Sequence, residues 1–265
     1  MKISIAQLNS TPDVDQNLEC VLAAVAQAAG DGADLVVFPE AAACSFDGKF
    51  ADFARTSADR FHKSVQDASD QHGVAVILGS FTPSASDERT ANTLFVFRPG
   101  QDPVTYDKIH LFDAFGFKES KGIVPGSTPV SVDVGGTQVG LAICYDLRFP
   151  ELFTRLARDG AQVVVVIASW GDGPGKARQW DLLTRARALD STSYVVACGQ
   201  AVRDLAHEGE ATKTPLGVGH SAVIAPDGSD VVRLDGGEDQ VTVDLDLAQV
   251  TTVRDSIPVL ANNRL

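Results

Sequence analysis

Val139-Gly140-Leu141-Ala142-Ile143-Cys144-Tyr145-Asp146-Leu147-Arg148-Phe149-Pro150-Glu151-Leu152 is an apolar run that ends on one cysteine and then turns polar. A run of this length reads as a buried strand, and Pro150 falls in the first turn of a helix expected to continue through Asp159. Cys144 therefore lies in the strand-to-helix connection. In open α/β sheets, ligands sit beyond the carboxyl ends of the strands, where backbone N–H groups near a helix start also stabilise an anion. A lone cysteine is more often a small buried hydrophobe, so Cys144 by itself decides little about chemistry.

Two further segments change the balance. Ala33-Asp34-Leu35-Val36-Val37-Phe38-Pro39-Glu40 is a second apolar run that ends on a carboxylate, which places Glu40 at another strand's carboxyl end. Tyr106-Asp107-Lys108-Ile109-His110-Leu111-Phe112-Asp113, after the strand expected from Asn92 to Arg98, sets a lysine and a histidine between apolar residues. Read separately, Glu40 is a solvated loop glutamate and Lys108 a surface lysine.

Read together, the three segments resemble the nitrilase, or carbon–nitrogen hydrolase, superfamily, whose glutamate, lysine and cysteine occupy matching short motifs in this chain order. The resemblance extends from the opening Lys2 to Leu8 strand through Arg185-Ala186-Arg187-Ala188, Gly219-His220-Ser221 and Ile257-Pro258-Val259-Leu260. Within the superfamily, Cys144-Tyr145-Asp146-Leu147-Arg148-Phe149-Pro150-Glu151 is similar to the branch containing omega-amidase and deaminated glutathione amidase. The resemblance implies a four-layer α-β-β-α sandwich. It also implies a homodimer or a larger even assembly, with the tail 248–265 at the interface. A second active-site glutamate between the lysine and the cysteine is implied as well, and Glu119 in Phe117-Lys118-Glu119-Ser120 is the match. One departure stands out: Gln179-Trp180 replaces the histidine–tryptophan pair of many relatives.

The residue types make chemical sense on their own. An ordinary thiol has a pKa near 8.5 and needs help to attack an amide at neutral pH. Glu40 would take the thiol proton, and Lys108 with the Tyr145 backbone N–H would hold charge developing on the carbonyl oxygen. Arg148, four residues past the nucleophile, either binds a substrate carboxylate through two parallel hydrogen bonds or makes a structural ion pair with Asp146 or Glu151. Trp170, at another strand end before the glycine-rich loop 171–175, is a pocket wall or a core residue. The segments 41–53 and 203–217 are expected to line the pocket. The expected activity is hydrolysis of a small carboxylated amide to acid and ammonia; the alternative is N-carbamoyl amine or amino-acid hydrolysis, with nitrilase action behind both. A cysteine–histidine pair of Cys144 and His110 competes with this reading, as does a catalytically silent binding protein.

With 265 residues, 44% hydrophobic and 22% charged, the chain has material for one large core, and residues 1–265 read as a single domain. A net charge of −13 argues against nucleic acid and anionic membranes, because phosphate binding needs a basic face. No run approaches the length of a membrane span, and the first residues enter a strand without the basic and apolar regions of a signal peptide. Cysteines 20, 44, 144 and 198 are too far apart for a zinc site or a compact disulfide framework. Histidines 62, 72, 110, 207 and 220 lack paired ligand spacing. The expectation is a cytoplasmic enzyme that needs no metal or cofactor.

Strand-like runs alternate with amphipathic stretches along the chain, as in a layered α/β domain. Helices are expected over Asp15 to Ala29, Ala58 to Gln71 and Trp180 to Asp190. Strands are expected over Val74 to Gly79, Val163 to Ala168 and Tyr194 to Gly199. Gly135-Gly136 joins Val130 to Val134 and Val139 to Ile143 in a hairpin, and Pro226-Asp227-Gly228 joins Ser221 to Ala225 and Val231 to Leu234 in another.

Overall fold

Val163–Ala168 and Tyr194–Gly199 are buried at every position, on both faces, because each lies inside a sheet covered by a second sheet on one side and by helices on the other. In the computed structural model, which describes residues 1–85, 88–203 and 217–264, the first half runs β1 (Lys2–Gln7), α1 (Val14–Gly30), β2 (Leu35–Val37), α2 (Phe50–Thr56), α3 (Ala58–His72), β3 (Ala75–Pro83), β4 (Thr90–Arg98), β5 (Gln101–Asp107) and β6 (Ile123–Val124). The second half runs β7 (Ser131–Val134), β8 (Thr137–Ile143), α4 (Pro150–Arg158), β9 (Val163–Ala168), α5 (Lys176–Ser191), β10 (Tyr194–Gly199), β11 (Ala222–Ile224), β12 (Asp230–Arg233), β13 (Asp239–Asp244), α6 (Ala248–Ser256) and α7 (Val259–Asn262).

One sheet has the order β13-β1-β2-β3-β4-β5, with β6 beside β4; the other has the order β12-β11-β10-β9-β8-β7. The period of two along each strand sorts its side chains between two layers. Ile3, Ile5, Leu35, Val37 and Ile77 face Val139, Leu141, Ile143, Val165 and Ile167 between the sheets. Ala6, Val36, Phe38 and Val76 point the other way, to Val21 and Val25 of α1 and Phe61 and Val65 of α3. On the opposite side, Ala142, Val164 and Val166 meet Leu152, Phe153 and Leu156 of α4 and Trp180 and Ala188 of α5. The four-layer α-β-β-α sandwich is the arrangement expected from the resemblance.

Local signals account for the element ends. The Asp13 carboxylate accepts from the Asp15 and Gln16 backbone N–H groups and caps α1. Gly135 and Gly136 both take positive φ, +59° and +86°, as a two-residue hairpin turn demands. Two expectations need revision. Helix α5 starts at Lys176 rather than Trp180, because Gly175 in a left-handed conformation precedes its first turn and the Lys176 N–H donates to Gly173. The tail from residue 248, for which no helix was expected, forms α6 and α7, with Val250 as its buried anchor. Strand β13 was not anticipated; it is half-exposed and exists by antiparallel pairing with β1, from Lys2↔Asp244 to Gln7↔Asp239.

Candidate active site

Four strand ends meet at one edge of the sandwich. β2 leads into Glu40, β5 into Lys108, β8 into Cys144 and β9 into Ser169-Trp170. These residues line one cleft together with Gly171 of the glycine-rich loop, Phe46, Phe112, Phe117, Glu119, Tyr145, Arg148 and Lys176, enclosing about 530 Å³ up to its open mouth. The Glu40 turn lies so close to β3 that a Cβ on Gly79 would come within 2.5 Å of the Ala41 nitrogen and 2.6 Å of the Glu40 Cα. Glycine is required there by close approach, since any side chain would displace the carboxylate-bearing turn.

Glu40 and Lys108 are 1% and 2% exposed, which an isolated charge could not sustain. Glu40 Oε1 accepts from Lys108 Nζ at 3.0 Å and from Asn92 Nδ2 at 2.8 Å, and its Oε2 accepts from the Ser169 backbone N–H at 2.6 Å. Glu119 begins a short 3₁₀ turn over Glu119–Lys121. Its carboxylate accepts from Lys108 Nζ at 3.0 Å on each oxygen, from the Phe112 N–H at 2.7 Å and from Asn92 Nδ2 at 3.2 Å.

The electrostatics follow from this packing. Burial pulls the Lys108 ammonium down, but Glu40 and Glu119 outweigh it and hold Lys108 well above the ordinary lysine range. Burial pushes the Cys144 thiol well above its ordinary range, the Glu40 carboxylate pushes it further, and Lys108 opposes both. Burial and Glu40 thus favour the thiol over the thiolate, beside a carboxylate placed to take its proton, with a fixed cation close by. Such a set can generate a sulfur nucleophile on demand and neutralise an oxyanion.

Cys144 takes φ +49° at the start of a 3₁₀ turn, Cys144–Arg148, that the sequence reading did not resolve between β8 and α4. Asp146, fully buried, holds that turn. Its carboxylate accepts from the Ile143 N–H at 2.9 Å, the Tyr106 hydroxyl at 2.7 Å and the His110 N–H at 3.0 Å, and lies 2.7 Å from His110 Nδ1. The cysteine turn is thereby tied to the segment that carries Lys108. His110 also stacks on Phe149 at 3.7 Å and is engaged away from Cys144, which removes the support for a Cys144–His110 pair.

Asp146 is therefore not the partner of Arg148. The Arg148 guanidinium donates to Gln179 Oε1 at 2.7 Å and lies 5.1 Å from the Trp170 ring centre, and no Glu151 pair forms. The Gln179 departure thus has a physical role: its amide oxygen steadies Arg148 without neutralising it. Trp170 serves as both wall and core, being buried, packed on Trp180 at 5.5 Å and in the cleft lining. Tyr145 lines the cleft with its ring edge-on to Phe112. Of the segments expected to line the pocket, 41–53 contributes Phe46, while residues 204–216 lie outside the described residues.

Two residues escaped the sequence reading. Asn92, in the middle of an apolar strand, donates to both glutamates, and the only signal was an amide where β-propensity disfavours one. Lys176 follows the glycine-rich loop and gave no signal. For Glu119, we expect Glu119→Gln to lower kcat by about 10- to 100-fold, the scale of a lost charge-assisted hydrogen bond. Steady-state kinetics with wild-type constants would mean that Glu119 only lines the loop.

Residues 2–255 match the carbon-nitrogen hydrolase family. The chain is 46% identical over 267 residues to Hydrolase Rv0480c of Mycobacterium tuberculosis, covering 99% of this chain and 95% of that protein. It is 32% identical over 269 residues to the deaminated glutathione amidase of Escherichia coli O157:H7, covering 100% and 97%. Among solved structures, it superposes on Saccharomyces cerevisiae Nit3, a member of branch 10 of the nitrilase superfamily, with a TM-score of 0.86 at 25% identity, covering 100% of this chain and 97% of that one.

Proposed function

The chain belongs to the carbon–nitrogen hydrolase family, and from that premise we propose that it is a cysteine-dependent amidase that converts a small carboxylated amide to acid and ammonia. The observation that carries the reading is the buried Glu40–Lys108–Glu119 network acting on the Cys144 thiol at the floor of the cleft. Glu40 takes the thiol proton as sulfur attacks the amide carbon. The oxyanion is held by Lys108 and by the N–H of Tyr145, which sits in the first turn of the 3₁₀ segment, where backbone donors lack partners within the turn. The C–N bond breaks as Glu40 returns the proton to nitrogen, and ammonia leaves. Glu40 then deprotonates water, which attacks the thioester carbon; the C–S bond breaks and the proton goes to the sulfur. Arg148, at the cleft wall, binds the carboxylate of the substrate.

The test is ammonia release from deaminated glutathione, α-ketoglutaramate, an N-carbamoyl amino acid and a simple nitrile. Selective turnover of the first two is the expected result. Turnover of the carbamoyl compound alone would replace the reading by N-carbamoyl hydrolysis.

The same proposal includes a homodimer or larger even assembly in the cytoplasm. Leu182 and Leu189 of α5 and Val259 of α7, which packs on α5, are exposed, as is Ile257. All four cysteines are free. No helix among the described residues is long and apolar enough to cross a membrane. Sedimentation at micromolar concentration should give a dimer or an even multiple; monomer alone would remove this part of the proposal.

A further inference from the structure

We propose that Asn92 is a positioning residue of the reaction: its amide gives one N–H to Glu40 and one to Glu119, which keeps the two carboxylates from sharing a proton and leaves Glu40 able to take that of Cys144. The proposal rests on the amidase reading above in taking Glu40 as the base, and adds the group that keeps the base available.

Asn92 stands on β4, on the strand face that next carries Leu94 and Val96 into the layer between the sheets. It is fully buried and is not among the residues that line the cleft, so it acts on substrate only through its neighbours. A buried amide on an apolar face is unfavourable unless its polar atoms find partners. Asn92 Nδ2 lies 2.8 Å from Glu40 Oε1 and 3.2 Å from Glu119 Oε1, and Lys108 Nζ lies 3.0 Å from each of the same two oxygens. Ammonium, Glu40, amide and Glu119 thus form a closed ring, with the two donors at opposite corners. The Asn92 Oδ1, by contrast, is buried with no hydrogen-bond partner among the described residues. Turning the amide over would set that oxygen against both carboxylates, so the amide keeps this orientation even though its carbonyl goes unpaired.

Charge balance explains why the amide matters. Glu40 and Glu119 bring two negative charges onto the single ammonium of Lys108. Carboxylates gathered this closely lower their energy by holding one proton between them. A proton held there fills the base, and the Cys144 thiol, whose protonated form burial and Glu40 favour, then has no acceptor. The Asn92 amide offers each carboxylate a hydrogen to accept without adding a proton, and so favours the doubly ionised pair. The neighbouring charged groups are engaged elsewhere: Asp107 accepts from the Thr93 hydroxyl at 2.6 Å, and Asp146 and His110 pair with each other. The main chain of Asn92 also fixes Lys108, because its carbonyl accepts from the Lys108 N–H at 2.9 Å.

The experiment follows the pH dependence of two rates in wild type, Asn92→Leu and Asn92→Asp. One is hydrolysis of α-ketoglutaramate. The other is alkylation of Cys144 by iodoacetamide, read by mass spectrometry on the peptide that contains Cys144, so that the exposed Cys20 is not counted. Both rates should fall on the acid side of a midpoint as the base fills. For Asn92→Leu we expect that midpoint to move up by about one pH unit, with kcat about tenfold lower on the acid limb and KM little changed. Asn92→Asp keeps the shape of the side chain but adds a third carboxylate, and should move the midpoint further. Recovery toward the wild-type plateau at higher pH belongs to the positioning role, whereas a role confined to packing would lower the plateau and leave the midpoint in place. An unmoved midpoint, a wild-type alkylation rate with no acid limb, or loss of folding in both variants would overturn the inference. Alkylation needs no turnover: if its midpoint moves as stated while wild type hydrolyses no amide, the amidase reading falls and the role of Asn92 stands.

Discussion

Cys144→Ala should reduce ammonia release to background, a fall of at least about 10⁴-fold, because a nucleophile and its base act as one unit and the remaining groups cannot form the thioester. The other thiols offer no substitute. Cys44 is buried with its pKa pushed up to about 11 by burial, Cys198 is buried between the sheets and raised further, and Cys20 lies exposed on α1 in an outer layer. Cys144 is the only cysteine among the cleft-lining residues. Burial and the Glu40 carboxylate favour its protonated form, so the proposed mechanism has the proton pass to Glu40 during attack. Ammonia release at the wild-type rate by a folded Cys144→Ala protein, with folding checked by near-ultraviolet circular dichroism, would discard the mechanism.

Lys108→Met should lower kcat by at least about 10²-fold, the scale of a lost oxyanion partner. It should also destabilise the fold by about 3–5 kcal/mol, because removing the cation leaves Glu40 and Glu119 buried side by side without their counter-charge, held only by neutral donors, the Asn92 amide and the Ser169 and Phe112 N–H groups. The pH sign follows from the raised Lys108 pKa. Its stabilising contribution is complete below the unfolded-state lysine value and is lost only as pH rises through the still higher folded value. Wild type therefore keeps the network throughout the neutral range, and the deficit of Lys108→Met relative to wild type should persist from neutral pH to the onset of alkaline unfolding. Thermal unfolding and saturating kinetics measure the two effects separately. An unchanged kcat would assign Lys108 a purely structural part.

Much of the architecture was legible because burial on two faces writes itself into composition. The all-apolar runs of β9 and β10 and the glycine pair between β7 and β8 need no partner to be recognised. Strand β13 was not legible, because a half-exposed strand owes its existence to β1, more than two hundred residues away. The site divides in the same manner. Glu40 and Cys144 were marked by the apolar runs that end on them and Lys108 by the family resemblance of its segment, and the structure brings them and Glu119 into one cleft. Asn92 and Lys176 carried no such mark, and the choice between partners for Arg148 was open until Asp146 proved to be taken by His110, Tyr106 and the Ile143 N–H.

The sequence alone determined the alternation of strands and helices, the positions of the strand ends and the reactive residue types placed on them, since these depend on local apolar periodicity and on chemistry within a few residues; the four-layer stacking was implied only by the family resemblance. Only the tertiary structure decided which charges compensate one another. Pairing across 68 residues between Glu40 and Lys108, and across 31 between Arg148 and Gln179, depends on distances that the closing of two sheets creates. At those distances, in a site shielded from water, one neighbour more or less sets whether a lysine stays charged, a thiol keeps its proton or a guanidinium remains open to an anion.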